Sequence, residues 1–246
     1  MKPVYDRIGI GYAYKRRSDP RIAARIASGL GDACTVLNVG AGTGSYELAD
    51  REVIALDPSH VMIEQRPAGA APIAQGVAEA LPFPDGAFDA AMTLLSLQHW
   101  TEPEQGLREL GRVSRRQVVL TWDDAFYAAN FWLLRDYLPE MAAWEHTRAT
   151  FDAACSLMDP VRVDVVPIPH DCVDGFGGAF WRRPEAYLDP QVRASISGLA
   201  LLEDGTAARA MHRLEADLRS GAWHRRNAAL LDLDEIDLGF RLVIAE

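Results

Sequence analysis

The sequence predicts an α/β protein built on a doubly wound, mostly parallel sheet. Two observations carry that reading: apolar, β-branched-rich runs of strand length recur through the first half, and the segments between them have helical spacing. A third is a glycine-rich loop immediately after the first run, at the strand end where open parallel sheets bind ligands. Alternating strands and helices require parallel crossovers, which are right-handed. A chain of 246 residues has room for one large domain, 1–246, with insertions at about 124–158 and 172–232 that would cap the sheet.

In chain order, "DPRIAARIASGL" is amphipathic and leads into the first strand, "TVLNV" at 35–39. "EVIALD" at 52–57, "APIAQGV" at 71–77, "FDAAMTLLSL" at 88–97 and "RQVVLTW" at 116–122 follow as strands buried on both faces. "LPFPDGAFD" at 81–89 is a turn, with two prolines and an Asp-Gly pair. "PEQGLRELGRV" sets Leu107, Leu110 and Val113 on one helical face. Beyond Trp122 the pattern changes to an aromatic helical stretch, "DDAFYAANFWLLRDYLPEMAAWE", and "VRVDVVPIP" at 161–169 reads as a further strand. A long gap with a Gly- and aromatic-rich loop and a helix ending near Gly221 precedes the final strand, "LGFRLVIA" at 238–245.

The loop "VGAGTG" carries Gly40, Gly42 and Gly44. Such glycines let backbone approach a ligand, and Ser45 stands where the dinucleotide fingerprint needs its third glycine, which disfavours a nicotinamide oxidoreductase. Asp57 ends the second strand, where a carboxylate accepts both hydroxyls of an adenosine ribose. Asp57 or Ser59 would alternatively cap the next helix.

In "VLNVGAGTG", "VIALDPS", "GVAEALPFPDGAFD" and "LRELGRVSRRQVVLTW", taken in order, the chain resembles the class I S-adenosylmethionine-dependent methyltransferases, in particular the small-molecule group. The resemblance covers about residues 5–124. It implies a Rossmann-like seven-stranded sheet with its last strand antiparallel, S-adenosylmethionine as cofactor, and methyl transfer to a small-molecule O, N or C nucleophile. It also implies that Gly40, Gly42 and Gly44 face the methionine part and that Asp57 binds the ribose, with Asn38 a further cofactor-binding candidate. Pro58, Ser59, Ala78 and Glu79 would border the adenine, and the end of the fourth strand, Leu95 included, would lie near the reactive methyl. Tyr5, Tyr12 and Arg16 match a segment that closes over the cofactor in such enzymes, or belong to a helix packed on the sheet edge. Asn38 and Val77 replace acidic residues common in the first and third motifs. A cofactor-binding protein without turnover is the alternative reading.

Methyl transfer to an alcohol or phenol needs a base, whereas alignment suffices for an amine or thiol. His99, His170, Asp123, Asp124 and Asp171 all follow predicted strand ends, and the two histidines are the catalytic candidates. Trp100, Trp122, Phe126, Trp132, Phe180 and Trp181 are candidates for an apolar acceptor chamber or for ordinary core. Arg182 and Arg183 would bind a substrate carboxylate, unless Arg183 pairs locally while Pro184 starts a helix.

A net charge of −10 argues against a nucleic-acid partner. Cys34, Cys155 and Cys172 lack metal-ligand spacing, so no metal is expected, and free thiols suit a cytoplasmic setting. The sequence has no apolar run of about 18 residues and no apolar leader, so neither a membrane span nor export is expected. The sequence leaves the oligomeric state open.

Overall fold

The computed structural model describes residues 3–10, 12, 16–141 and 150–246. Strands β1 (Thr35–Val39), β2 (Glu52–Asp57), β3 (Ile73–Gln75), β4 (Phe88–Leu94), β5 (Ser114–Trp122), β6 (Arg162–Val165), β7 (Ile168–Pro169), β8 (Glu235–Ile236) and β9 (Phe240–Ala245) are distributed over two sheets. The main sheet has seven strands in the order β3-β2-β1-β4-β5-β9-β6, and β7 pairs with β8. β1 to β5 run parallel, while β9 lies antiparallel between β5 and β6. The predicted doubly wound sheet with its antiparallel last strand is therefore present.

Alternation along the central strands divides the core in two, as a sheet covered on both faces requires. On one face Val36, Met92, Val118 and Leu242 pack with Ile22, Ile26 and Leu30 of α2 (Pro20–Leu30). That core continues into Trp132, Trp181, Tyr187 and Trp223. On the other face Leu37, Leu56, Ala91, Val119 and Val243 meet Leu107, Leu110 and Val113 of α4 (Pro103–Val113), together with Ala154 of α6 (Thr150–Met158). Further helices include α1 (Tyr5–Ile8), α3 (His60–Glu64), α5 (Asp124–Asn130) and α7 (Asp204–Arg219). Helix α7 stops just before Gly221, which sits at φ +70°.

Four strands are shorter than the sequence pattern predicts, β9 only by its first two residues. β3 keeps only Ile73–Gln75 of the apolar run. β4 stops at Leu94 because Leu95 turns into the left-handed region at φ +53°. The run at 161–169 splits: Pro167 has no N–H to extend the ladder, and the chain leaves the main sheet after Val166 to form β7. The aromatic stretch after Trp122 is likewise interrupted, as α5 is followed by a π-helical turn at Leu133–Tyr137. Its continuation through residues 142–145 lies outside the described residues.

Candidate active site

At the carboxyl ends of β1, β2 and β4 a cleft opens, with an empty volume of about 1270 Å³ including the solvent at its mouth. Gly40 and Gly42 line it at φ +71° and +52°, the left-handed region that glycine adopts without strain. The loop turns back because the N–H groups of Gly40 and Ala41 both donate to the Leu56 carbonyl, at 2.8 and 3.1 Å. Asp57 closes it from the next strand. Its Oδ2 accepts from the Gly42 N–H and its Oδ1 from the Ser59 N–H, both at 2.8 Å. Burial pushes the Asp57 carboxyl above its ordinary range, and these backbone donors and Arg66 only partly offset that. Ser59 caps α3, accepting from the Met62 N–H at 3.3 Å, so Asp57 is left to span loop and helix start.

Asn38 also lines the cleft, and its Nδ2 donates to Glu47 Oε1 at 3.4 Å. Glu47 is held by Arg66 at 2.7 Å and by the Ala71 N–H at 3.0 Å, and Arg66 donates in turn to the Gly42 carbonyl at 3.2 Å. The carboxylate missing at position 38 thus stands one layer behind it, neutralised by a buried arginine. Gly44 does not line the cleft. Its φ of +93° and the nearness of Glu47 and Arg66 make it a support for this network.

The far wall holds Pro58, Val77, Ala78, Glu79, Leu95, Ser96, His99 and Trp100. Val77 is exposed and presents an apolar surface there. The Glu79 carboxylate is turned to the N–H groups of Thr101 and Glu102, at 2.8 and 3.1 Å. Tyr5, Tyr12 and Arg16 cross the mouth. Tyr5 Oη lies 3.2 Å from His99 Nε2, with the rings edge to face. Arg16 forks onto the fully buried Asp174 at 2.5 and 3.2 Å and donates to the Tyr12 hydroxyl, so its charge is met within the chain.

Tyr5, Tyr12, Arg16 and Leu95 also wall a second, smaller chamber lined by Trp122, Tyr127, Met141, Phe176, Ile196 and Phe240. Its aromatic rings contact one another with centroids 5.0 to 6.1 Å apart. Of the predicted acceptor residues, Trp122 lies here and Trp100 in the main cleft.

Other expected site residues are elsewhere. Trp181 is fully buried, its indole donating to the Ile168 carbonyl at 3.0 Å, and Trp132 donates to the Trp181 carbonyl at 2.7 Å. Both are core, because each indole N–H is used to tie loops together. Arg182 donates to the Leu233 carbonyl and Arg183 to those of Cys172 and Ala179, so both brace the loop, while Pro184 opens a 3₁₀ helix. His170 Nδ1 lies 3.1 Å from the Asp234 carbonyl, outside both cavities, because β7 has left the main sheet. Asp171 pairs with Arg21, and Asp123 caps α5. Tyr127 and Phe240 escape sequence reading because each sits among apolar residues indistinguishable from core, and Phe176 because nothing sets it apart from the other aromatics of the Gly-rich loop.

The family described as a methyltransferase domain matches residues 37–121. A crystal structure of a methyltransferase assigned to an antibiotic biosynthesis pathway of Anabaena variabilis is 32% identical, with a TM-score of 0.83 over 94% of this chain and 99% of that one. A 2-methyl-6-phytyl-1,4-hydroquinone methyltransferase of Oryza sativa is 30% identical over 44% of this chain and 36% of its own length. A demethylmenaquinone methyltransferase of Mycolicibacterium paratuberculosis is 33% identical over 48% of this chain and 54% of its own length. The chain thus spans only part of the length of these curated relatives.

Proposed function

The chain belongs to the class I S-adenosylmethionine-dependent methyltransferases, and from that membership we propose that it transfers the cofactor's methyl group to a small acceptor with a planar, uncharged ring. The observation that carries the cofactor half is the meeting of Asp57 with the backbone of Gly40 and Gly42 in one cleft. Each Asp57 oxygen accepts one backbone N–H and keeps a further lone pair for a ribose hydroxyl. Pro58, Val77 and Ala78 offer apolar edge and backbone groups to the adenine. When bound, the cofactor supplies an activated sulfonium methyl.

The acceptor half rests on the aromatic chamber beside Leu95. The one cation among the described residues that line it, Arg16, is matched by Asp174, so these walls select by shape and apolar contact rather than by charge. Relatives named for hydroquinone and demethylmenaquinone substrates fit that choice. For a phenolic acceptor His99 takes the proton, with Tyr5 orienting the imidazole. His170 lines neither cavity and has no part in this step. Of the insertions at about 124–158 and 172–232, Tyr127 and Met141 from the first and Phe176 and Ile196 from the second wall the chamber and act as its cap, while α6 packs on the opposite sheet face.

Calorimetry with S-adenosylhomocysteine tests the first half. Asp57→Ala lowers affinity by roughly tenfold to a hundredfold, the worth of hydrogen bonds to a charged group; unchanged affinity in a folded variant removes the ribose assignment. His99→Gln then keeps cofactor affinity but loses turnover on phenolic acceptors. Binding without turnover of any acceptor in a broad panel favours the non-catalytic alternative.

A further inference from the structure

Strand β6 ends the main sheet, and among the described residues no other strand pairs with its outer edge. Val161, Val163 and Val165 are exposed there by 65, 41 and 44%. They share the sheet face of Val243, against which Val163 is registered. Leu157, on the helix packed over that face, is also exposed, by 40%. The backbone has an equally definite phase. Val166 donates to the Phe240 carbonyl, so the even-numbered residues of β6 spend their N–H and C=O groups on β9. The same parity follows independently from β9, where Asp123 takes the Gly239 carbonyl and leaves the even residues of β9 for β6. The peptide groups of Val163 and Val165, and by the same alternation that of Val161 just before the strand, therefore face outward, with no partner among the described residues.

We propose that this edge is where a second copy of the chain docks, by antiparallel pairing of β6 with β6 about a two-fold axis at Val163. In that register Val163 faces its own counterpart and Val161 faces Val165, so outward peptide groups meet outward peptide groups. Arg162 then stands opposite Asp164, twice, at the pairs where side chains approach most closely. Within one chain these two residues already form an ion pair at 3.0 Å, which shows their ends share one side of the strand. A slip by two residues in either direction puts Asp164 against Asp164 or Arg162 against Arg162. Charges on an edge strand ordinarily block pairing; this order of charges favours the register centred on Val163 over its neighbour on either side. Pro167, with no N–H to offer, ends the ladder on each side. The contact is short, placing the dimer among weak, concentration-dependent associations of the chain.

Sedimentation velocity over a range from low to high micromolar protein tests the proposal on the full chain. The wild type shifts from monomer to dimer as concentration rises. Arg162→Asp and Asp164→Arg each place two like-charge pairs across the axis and weaken association roughly tenfold or more, while the double exchange, Arg162→Asp with Asp164→Arg, restores it. Val163→Pro removes a donor that β9 does not use and abolishes the dimer with the fold retained by circular dichroism. A wild type that stays monomeric throughout, or a dimer that neither single reversal weakens, overturns the proposal.

Discussion

Gly40 answers two separate demands, and a methyl group there violates both. Its φ of +71° strains any L side chain, and an added Cβ would collide with Ser96 Oγ and lie 2.7 Å from the Ser96 Cβ. Gly40→Ala should therefore destabilise by about 3 kcal/mol, strain and overlap together. Adding Ser96→Gly removes the overlap and leaves the backbone strain, about 1–2 kcal/mol. Urea unfolding of the two variants separates the contributions; equal stability of both would show that backbone conformation alone governs the position. At this scale the sequence was most readable where backbone chemistry dictates residue type. Gly40, Gly42 and Asp57 were found because few other residues serve at a strand tip. Glu47 and Arg66 were not, because a buried ion pair leaves no spacing signal; they became visible only when Asn38 was seen to donate to Glu47.

Among the elements, the junction of β5 with α5 holds the most perturbed carboxyl with a definite consequence. Asp124 is buried at the first turn of α5, and its Oδ1 has no hydrogen-bond partner among the described residues. Desolvation, with Asp123 and Asp152 adding repulsion, pushes its pKa up to about 6. The folded state thus binds this proton more tightly than the unfolded chain does. The stability it contributes is complete below the unfolded value of 3.8 and is lost as pH rises through about 6. Asp124→Asn, which never ionises, should match the wild type near pH 4 and exceed it by roughly 1–2 kcal/mol at pH 8. Urea midpoints at the two pH values check this, and a gap that does not grow with pH refutes the raised carboxyl. Elements were legible in proportion to their burial: β1 and β2 begin and end where the apolar runs do, whereas 161–169 read as one strand because periodicity registers neither the missing donor of Pro167 nor the departure of β7.

Across the whole molecule the two cavities are walled by residues from Pro3 to Phe240, with the strand tips between them. Neither cavity belongs to a local unit: Asp174, deep in the second half, holds Arg16 and accepts from the Tyr46 hydroxyl at 2.9 Å, and Asp19 accepts from the Val173 N–H. Unfolding any one region therefore opens the cleft, and a ligand bound there stabilises the chain as a whole. By mass action a ligand at a hundred times its dissociation constant adds about 2.7 kcal/mol. For a chain of this size that corresponds to a rise in Tm of roughly 5–11 °C. S-adenosylhomocysteine should produce that rise as a single cooperative shift in a thermal scan, while NAD should not. Trp122→Ala should leave the shift intact, since Trp122 lines the acceptor chamber and not the main cleft, and should abolish turnover of ring acceptors. A shift with NAD in place of S-adenosylhomocysteine would reverse the choice of cofactor, because Ser45 is the residue on which the two readings of the glycine loop part.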